Sequence, residues 1–325
     1  MPVETYTRFD VHAHVEGPKE TYIRVMDAAG VKAVLNMSYS GFWSSERLDE
    51  YERALREDMD QYPGRFLFCA SFSIHGVDEP DFAERTIAKL TRDFDEHGAV
   101  GVKVWKDLGM MLRDRNGDYV LPDDDRLSPI FEFIEARGKV LMTHLADPEE
   151  AWRPLDPRSP HYGYYVHYPD EHVYGKPGCP SREEILRHRD ALVGRYPGLK
   201  VVGCHLASLE HELRAVAEFL DRFPNAMIDT AGRHRDLTGF PDDDVRDLFN
   251  RHQGRVLYGV DWEVDEGTFS ADPGEREEQV QRHARGFAEA YRYYEEVLAL
   301  SPEVLRKFYW ENAAGLLNLP EFSRR

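Results

Sequence analysis

Two histidines one residue apart, His12 and His14, close an apolar run near the start of the chain, Phe9-Asp10-Val11-His12-Ala13-His14-Val15. Side chains alternate along an extended strand. Asp10, His12 and His14 are therefore expected on one face, with Phe9, Val11 and Val15 on the other. Two imidazoles on one face at a strand end can both reach one cation. Three more ionisable residues, His144, His205 and Asp261, each stand where another apolar run stops. Singly, each has a plainer reading: a strand-end histidine with a backbone partner, or an aspartate capping a turn. Together they form a nitrogen and oxygen donor set suited to Zn²⁺, Mn²⁺ or Fe²⁺.

Such a set works only if the fold brings those strand ends together. After the first strand, Pro18–Gly30 reads as a helix with proline in its first turn and a glycine stop. Apolar runs at Val31–Met37, Arg65–Phe72, Ala99–Trp105, Lys139–Thr143, Lys200–Cys204, Ala226–Asp229 and Arg255–Val260 read as further strands. Between them, Ser45–Gln61, Asp81–His97, Ser128–Arg137, Arg182–Tyr196, Leu209–Arg222 and Asp243–His252 carry helical periodicity. Asn116-Gly117 marks a hairpin of the type I′ kind. Eight strands, with a helix after each of the first seven, imply right-handed crossovers and a parallel sheet closing as a (β/α)8 TIM barrel. No phosphate-binding glycine pattern follows any strand, which disfavours an open doubly wound sheet. The whole chain, 1–325, is expected as one domain. It carries a long insertion after strand five, about residues 146–181, and C-terminal helices from about Gly274.

The chain has 41 Lys+Arg against 60 Asp+Glu, a net charge of −19, which disfavours nucleic-acid backbones and anionic membranes as partners. A hydrophobic content of 42% suffices for a large core. Cys69, Cys179 and Cys204 are too widely spaced for a disulfide framework or a cysteine metal knuckle. The first residues lack a basic and apolar leader, and no stretch has the 18 or more apolar residues of a spanning helix. The expectation is a cytoplasmic protein acting on a small molecule, with a homo-oligomer possible.

HxH on strand one, histidines ending strands five and six, and aspartate ending strand eight resemble the signature of the amidohydrolase superfamily. The TYIRVMDAAGVKAVLN stretch is similar to the opening of its amidohydrolase-related branch, which includes aminocarboxymuconate-semialdehyde decarboxylase. GVKVWK, THLADP, VVGCHLAS, LYGVDW and the closing Tyr309–Leu317 helix resemble that branch as well. The resemblance implies a TIM-barrel, metal-dependent enzyme with His12, His14, His144 and Asp261 as ligands of one divalent ion, zinc before manganese or iron. Asp261 would also be the catalytic base, and His205 the group touching substrate or bound water. Binuclear members bridge two ions with a carboxylated strand-four lysine. Lys103 stands there, with Lys106 just beyond; either could instead anchor substrate.

Hydroxide formed on the ion would attack a small amide, ester or lactone, with Asp261 taking its proton and His205 stabilising the oxyanion. The same donors would also serve non-oxidative decarboxylation of an aromatic or unsaturated acid. A non-catalytic barrel with a structural metal is a third reading, disfavoured because structural zinc sites are usually closed cages. Trp105, Arg153, Tyr165, Arg233 and Trp262 are expected around the substrate, Arg153 as a carboxylate clamp. Asp229 is placed with them. The Tyr- and His-rich insertion suits a lid or a subunit interface equally, and its extra histidines, His161, His167 and His172, hint only weakly at metal.

Overall fold

The computed structural model describes residues 6–39 and 43–319. Nine parallel strands form one sheet: β1 (Arg8–Val15), β2 (Val31–Met37), β3 (Phe66–Ala70), β4 (Gly101–Val104), β5 (Val140–Thr143), β6 (Lys200–Gly203), β7 (Ala226–Asp229), β8 (Val256–Leu257) and β9 (Trp262–Val264). Strands β1 to β8 pair in sequence order, and β9 pairs with β1. The expected eighth strand, Arg255–Val260, is reduced to β8, which pairs with β7. Beyond it β9 pairs with β1, so the segment 256–264 closes the (β/α)8 barrel.

Helices α1 (Lys19–Ala29), α2 (Ser45–Gln61), α3 (Phe82–Asp95), α4 (Ser128–Ala136), α5 (Tyr162–His167, inside the insertion), α6 (Arg182–Arg195), α7 (Leu213–Arg222), α8 (Asp242–Arg251) and α9 (Pro273–Arg292) follow in chain order. Ser44 caps α2, accepting from the Arg47 N–H, and Ser181 caps α6, accepting from the Glu184 N–H. Phe68, Val102, Leu141 and Val201 face outward into a buried layer with Phe94, Phe131 and Leu192 of the helices. A separate cluster of Phe9, Val11, Leu35, Cys69, Met142 and Leu257 fills the barrel interior, and Trp310, Ala313 and Leu317 of the C-terminal helical turns stop its lower end. Chemistry is left the opposite end.

Three local departures shape that end. In β1 the register slips between Asp10 and Ala13. Phe9 and Val11 face the barrel interior, whereas Ala13 and Val15 pack outward on Tyr22 and Val25 of α1. Asp10 and the two histidines therefore do not share one unbroken face, because a bulge exchanges inside for outside. The Asp10 carboxylate instead accepts from the His12 and Val260 N–H groups at 2.9 and 3.0 Å, tying β1 to the closing segment.

After β6, residues 205–208 run in the left-handed region, with φ between 55° and 58° and no glycine among them. The helix expected from Leu209 starts at Leu213 because this turn comes first. Buried Arg189 and Arg182 of α6 hold the turn by donating to the Ala207 and Ser208 carbonyls. Gly203 is needed beside it, since a Cβ there would lie 2.6 Å from the Ala207 Cβ.

The hairpin at Asn116-Gly117 has one bridge, Arg113 to Tyr119, with only Gly117 of its tip left-handed. Gly117 N–H bonds the Asp114 carbonyl and Asp114 N–H bonds that of Asp118, a three-residue loop in place of type I′.

Candidate active site at the barrel mouth

The β1 bulge turns His12 and His14 inward, and the left-handed turn does the same for His205. Asp261, at φ 62° in the kink between β8 and β9, completes the group. His12, His14 and Asp261 offer ligand atoms within 4.8 Å of one another. The Asp261 Oδ1 lies 3.2 Å from His12 Nε2 and 3.8 Å from His14 Nε2, and its Oδ2 lies 3.9 Å from His205 Nδ1.

Asp229, fully buried, reaches the far side of the His12 ring, with Oδ2 2.9 Å from Nδ1. A neutral imidazole carries one N–H, so the Asp229 contact places it on Nδ1 and leaves a lone pair on Nε2. That lone pair accepts from Lys103 Nζ at 3.0 Å and lies 3.2 Å from the Asp261 carboxylate. His205 and His144 leave one contact without a proton. Their row runs from the Ala231 carbonyl (2.8 Å from His205 Nδ1) through the 3.2 Å contact between the rings to Asp147 (3.2 Å from His144 Nε2). Two neutral rings supply two protons for three contacts, so one gap holds acceptor against acceptor. Facing lone pairs in a buried nitrogen and oxygen set fit a divalent cation.

Protonation agrees. Burial, with His12 and Lys103 close by, pushes His14 down to about 3, Asp261 opposing. Burial and neighbouring cationic groups also hold His144 and His205 well below the usual imidazole range. Burial works against the Asp261 carboxylate, but His12, His205, His14 and Lys103 outweigh it and keep it ionised well below the usual range. Neutral imidazoles and an ionised carboxylate are the ligating forms.

These groups line a cavity of about 190 Å³. Lys103 on β4 is 1% exposed, its Nζ 3.0 Å from His12 Nε2 and 3.4 Å from the Cys204 Sγ. Lys106 is equally buried but turns toward the insertion. It meets both Asp147 oxygens at 2.9 and 3.0 Å, Glu171 at 2.5 Å and the Tyr164 hydroxyl at 2.8 Å. Trp105 lines the wall, edge-on to His144, and Tyr165 donates to Asp147 at 3.3 Å. Arg233, 8% exposed, lines the same cavity.

The structure brings His12, His14, His144, His205 and Asp261 to one cavity, with His144 outside the tight three-residue cluster. It does not bring Arg153 there. That side chain is 65% exposed and pairs with Glu149 one helical turn back, because the insertion's first turn points it to solvent. Trp262 belongs to β9 and packs between Tyr22 and His283, beside a neighbouring cavity. Asp229 is a positioning group behind His12, not a substrate contact. The insertion histidines do not converge: His161 lies 3.7 Å from Asp236, His172 bonds the Arg153 carbonyl and His167 stands edge-on to Tyr168. Sequence reasoning missed Asp147, although its place three residues after His144 was visible, and missed Tyr39, whose ring packs at a tilt against His14. No helix among the described residues is long and apolar enough to cross a membrane.

A family model described as Amidohydrolase matches residues 9–319. None of the curated proteins matches. Among solved structures, 2,6-dihydroxybenzoate decarboxylase from Rhizobium superposes with a TM-score of 0.60 at 16% identity, covering 97% of this chain and 99% of that one. 4-Oxalomesaconate hydratase from Rhodopseudomonas palustris gives 0.59 at 15% identity, with 96% and 95% covered. 5-Carboxyvanillate decarboxylase from Novosphingobium aromaticivorans, complexed with manganese and 4-hydroxy-3-methoxy-5-nitrobenzoic acid, gives 0.56 at 14% identity, with 97% and 96% covered.

Proposed function

The chain belongs to the amidohydrolase family, and on that premise we propose that it is a metal-dependent, non-oxidative decarboxylase of a small aromatic or unsaturated acid. The observation that carries this reading is the cavity. Its 190 Å³ suit the carboxylated ring of such an acid, its walls include Trp105, Tyr39 and Tyr165, and the buried Arg233 guanidinium stands beside the metal-type cluster. Hydrolysis of an amide, ester or lactone was the leading expectation from sequence. It yields to decarboxylation because two of the structural neighbours are decarboxylases of aromatic acids and a third is a hydratase.

His12, His14 and Asp261 would hold one divalent ion, with His144 beside them as the candidate fourth ligand. The ion supplies positive charge against which charge developing on the acid is stabilised. Lys103, bonded to His12, stands beside the cluster and needs no carboxylation in this reading. Arg233 pairs with the acid's oxygens and orients it. The bond from carbon to the carboxyl group breaks, its electron pair stays on the carbon, CO₂ leaves and the carbon takes one proton. Asp261, whose side chain is 30% exposed, sets Oδ2 to take up and return that proton, with the neutral His205 ring alongside.

Enzyme loaded with manganese or zinc, offered hydroxybenzoates, lactones and amides in D₂O, tests the reading. CO₂ release with one deuterium on the vacated carbon is expected. Turnover of lactones or amides without CO₂ would return the assignment to hydrolysis.

A further inference from the structure

A second cavity of about 570 Å³, three times the first, opens beside it between the loop after β7, the closing segment and α9. The two share Pro160, His161, Gly232, Arg233 and Asp261 at their junction, so a molecule reacting at Asp261 can extend past Arg233 without leaving the protein. We propose that this second cavity binds the distal half of the substrate, a planar apolar body ending in a second anionic group. The proposal rests on Asp261 marking the reacting end, and it makes the substrate longer than a one-ring acid.

Three features define the ligand. The walls are aromatic: Trp262, Phe287, Tyr258 and Tyr294 contribute rings, the last two buried. Such walls take a planar body by ring stacking and edge contacts. The charge is cationic in a protein of net charge −19, since Arg233, Arg235 and Arg282 line the cavity against Asp236 and Asp261. Asp261 is committed to the histidine cluster. The buried Glu210 and Asp236 stand 3.7 and 4.0 Å from the Arg233 Nε, which has no hydrogen-bond partner despite its burial, so Arg233 is already ion-paired and the uncommitted charge lies on Arg235 and Arg282. Among the described residues neither Arg235 nor Arg282 has an ion-pair partner, so both remain available to an anion at the outer rim. Finally, Gly286 leaves the α9 wall open, for a Cβ built there meets nothing within 4 Å.

Calorimetry on the manganese-loaded enzyme tests this with three probes: 2-hydroxybenzoate, 4-hydroxybiphenyl-3-carboxylate and 4-hydroxybiphenyl-3,4′-dicarboxylate. The account predicts that the dicarboxylate binds at least tenfold more tightly than either monoacid. Gly286→Phe, which fills the cavity from a helix that tolerates a side chain there, removes that advantage. Arg282→Gln removes the part due to the distal carboxylate, and Arg285→Gln, outside the cavity on the same helix, leaves it intact. Equal affinities for the three probes, or an advantage that survives both Gly286→Phe and Arg282→Gln, would overturn the proposal. CO₂ release from 2-hydroxybenzoate in the same preparations judges the reaction separately. A decarboxylase without the length preference sinks this inference alone, and a length preference without CO₂ sinks the reaction alone.

Discussion

Two buried ionic clusters face the same cavity and differ in one respect that separates catalysis from scaffolding. Around Lys106, one ammonium meets Asp147, Glu171 and the Tyr164 hydroxyl, and every contact joins a donor to an acceptor. Beside Asp261, the His205–His144 row has two ring protons for three contacts and so sets one acceptor against another. The first cluster is complete as it stands and pins the insertion to the barrel. The second is complete only with an added cation. Both clusters are largely buried, although the Asp261 side chain is 30% exposed, and balance of donors and acceptors is what distinguishes a site from a strut.

Changes on each side break that comparison in different ways. Asp261→Asn removes both the ligand charge and the proton carrier. Turnover should fall by about 10³-fold or more with circular dichroism unchanged, a loss of roughly 4 kcal/mol in the barrier. Full activity in this variant would remove Asp261 from the chemistry. Lys106→Met acts oppositely, leaving two carboxylates without their cation. Denaturant unfolding should show a loss of about 3–5 kcal/mol, the cost typical of breaking a buried pair. A stability change under ~1 kcal/mol would mean the insertion is not held there, since that is what an exposed pair contributes.

Asp229→Asn spares the ligands but loosens the orientation of His12. Metal affinity should weaken about 10- to 100-fold, as for other groups that orient a ligating histidine, with the unfolding midpoint of metal-free protein nearly unmoved. Gly203→Ala presses on Ala207 and so on the left-handed turn that carries His205. A stability loss of about 1–3 kcal/mol is expected, typical of overpacking. An unchanged midpoint would show that the turn gives way freely.

Strand ends were the legible part of the site. His12, His14, His144, His205 and Asp261 each follow an apolar run, and in a closed barrel all such ends meet. What aims them was not legible. The β1 bulge, the turn at 205–208 and the Asp261 kink use ordinary residues in rare backbone conformations, held by distant partners such as Arg182, Arg189 and Asp10. Strand β9 is three residues long and exists because β1 needs a partner, so its own sequence hardly marks it. Arg153 misled for a related reason: a loop rich in aromatics and cations says nothing of which side chains turn inward.

Metal content tests the central claim most directly. Protein loaded with manganese or zinc and freed of excess by gel filtration should retain one equivalent per chain in the wild type. The double variant His14→Ala, Asp261→Asn should retain close to none. Two equivalents in the wild type would restore Lys103 as a bridging ligand, and undiminished binding by the double variant would contradict the site itself.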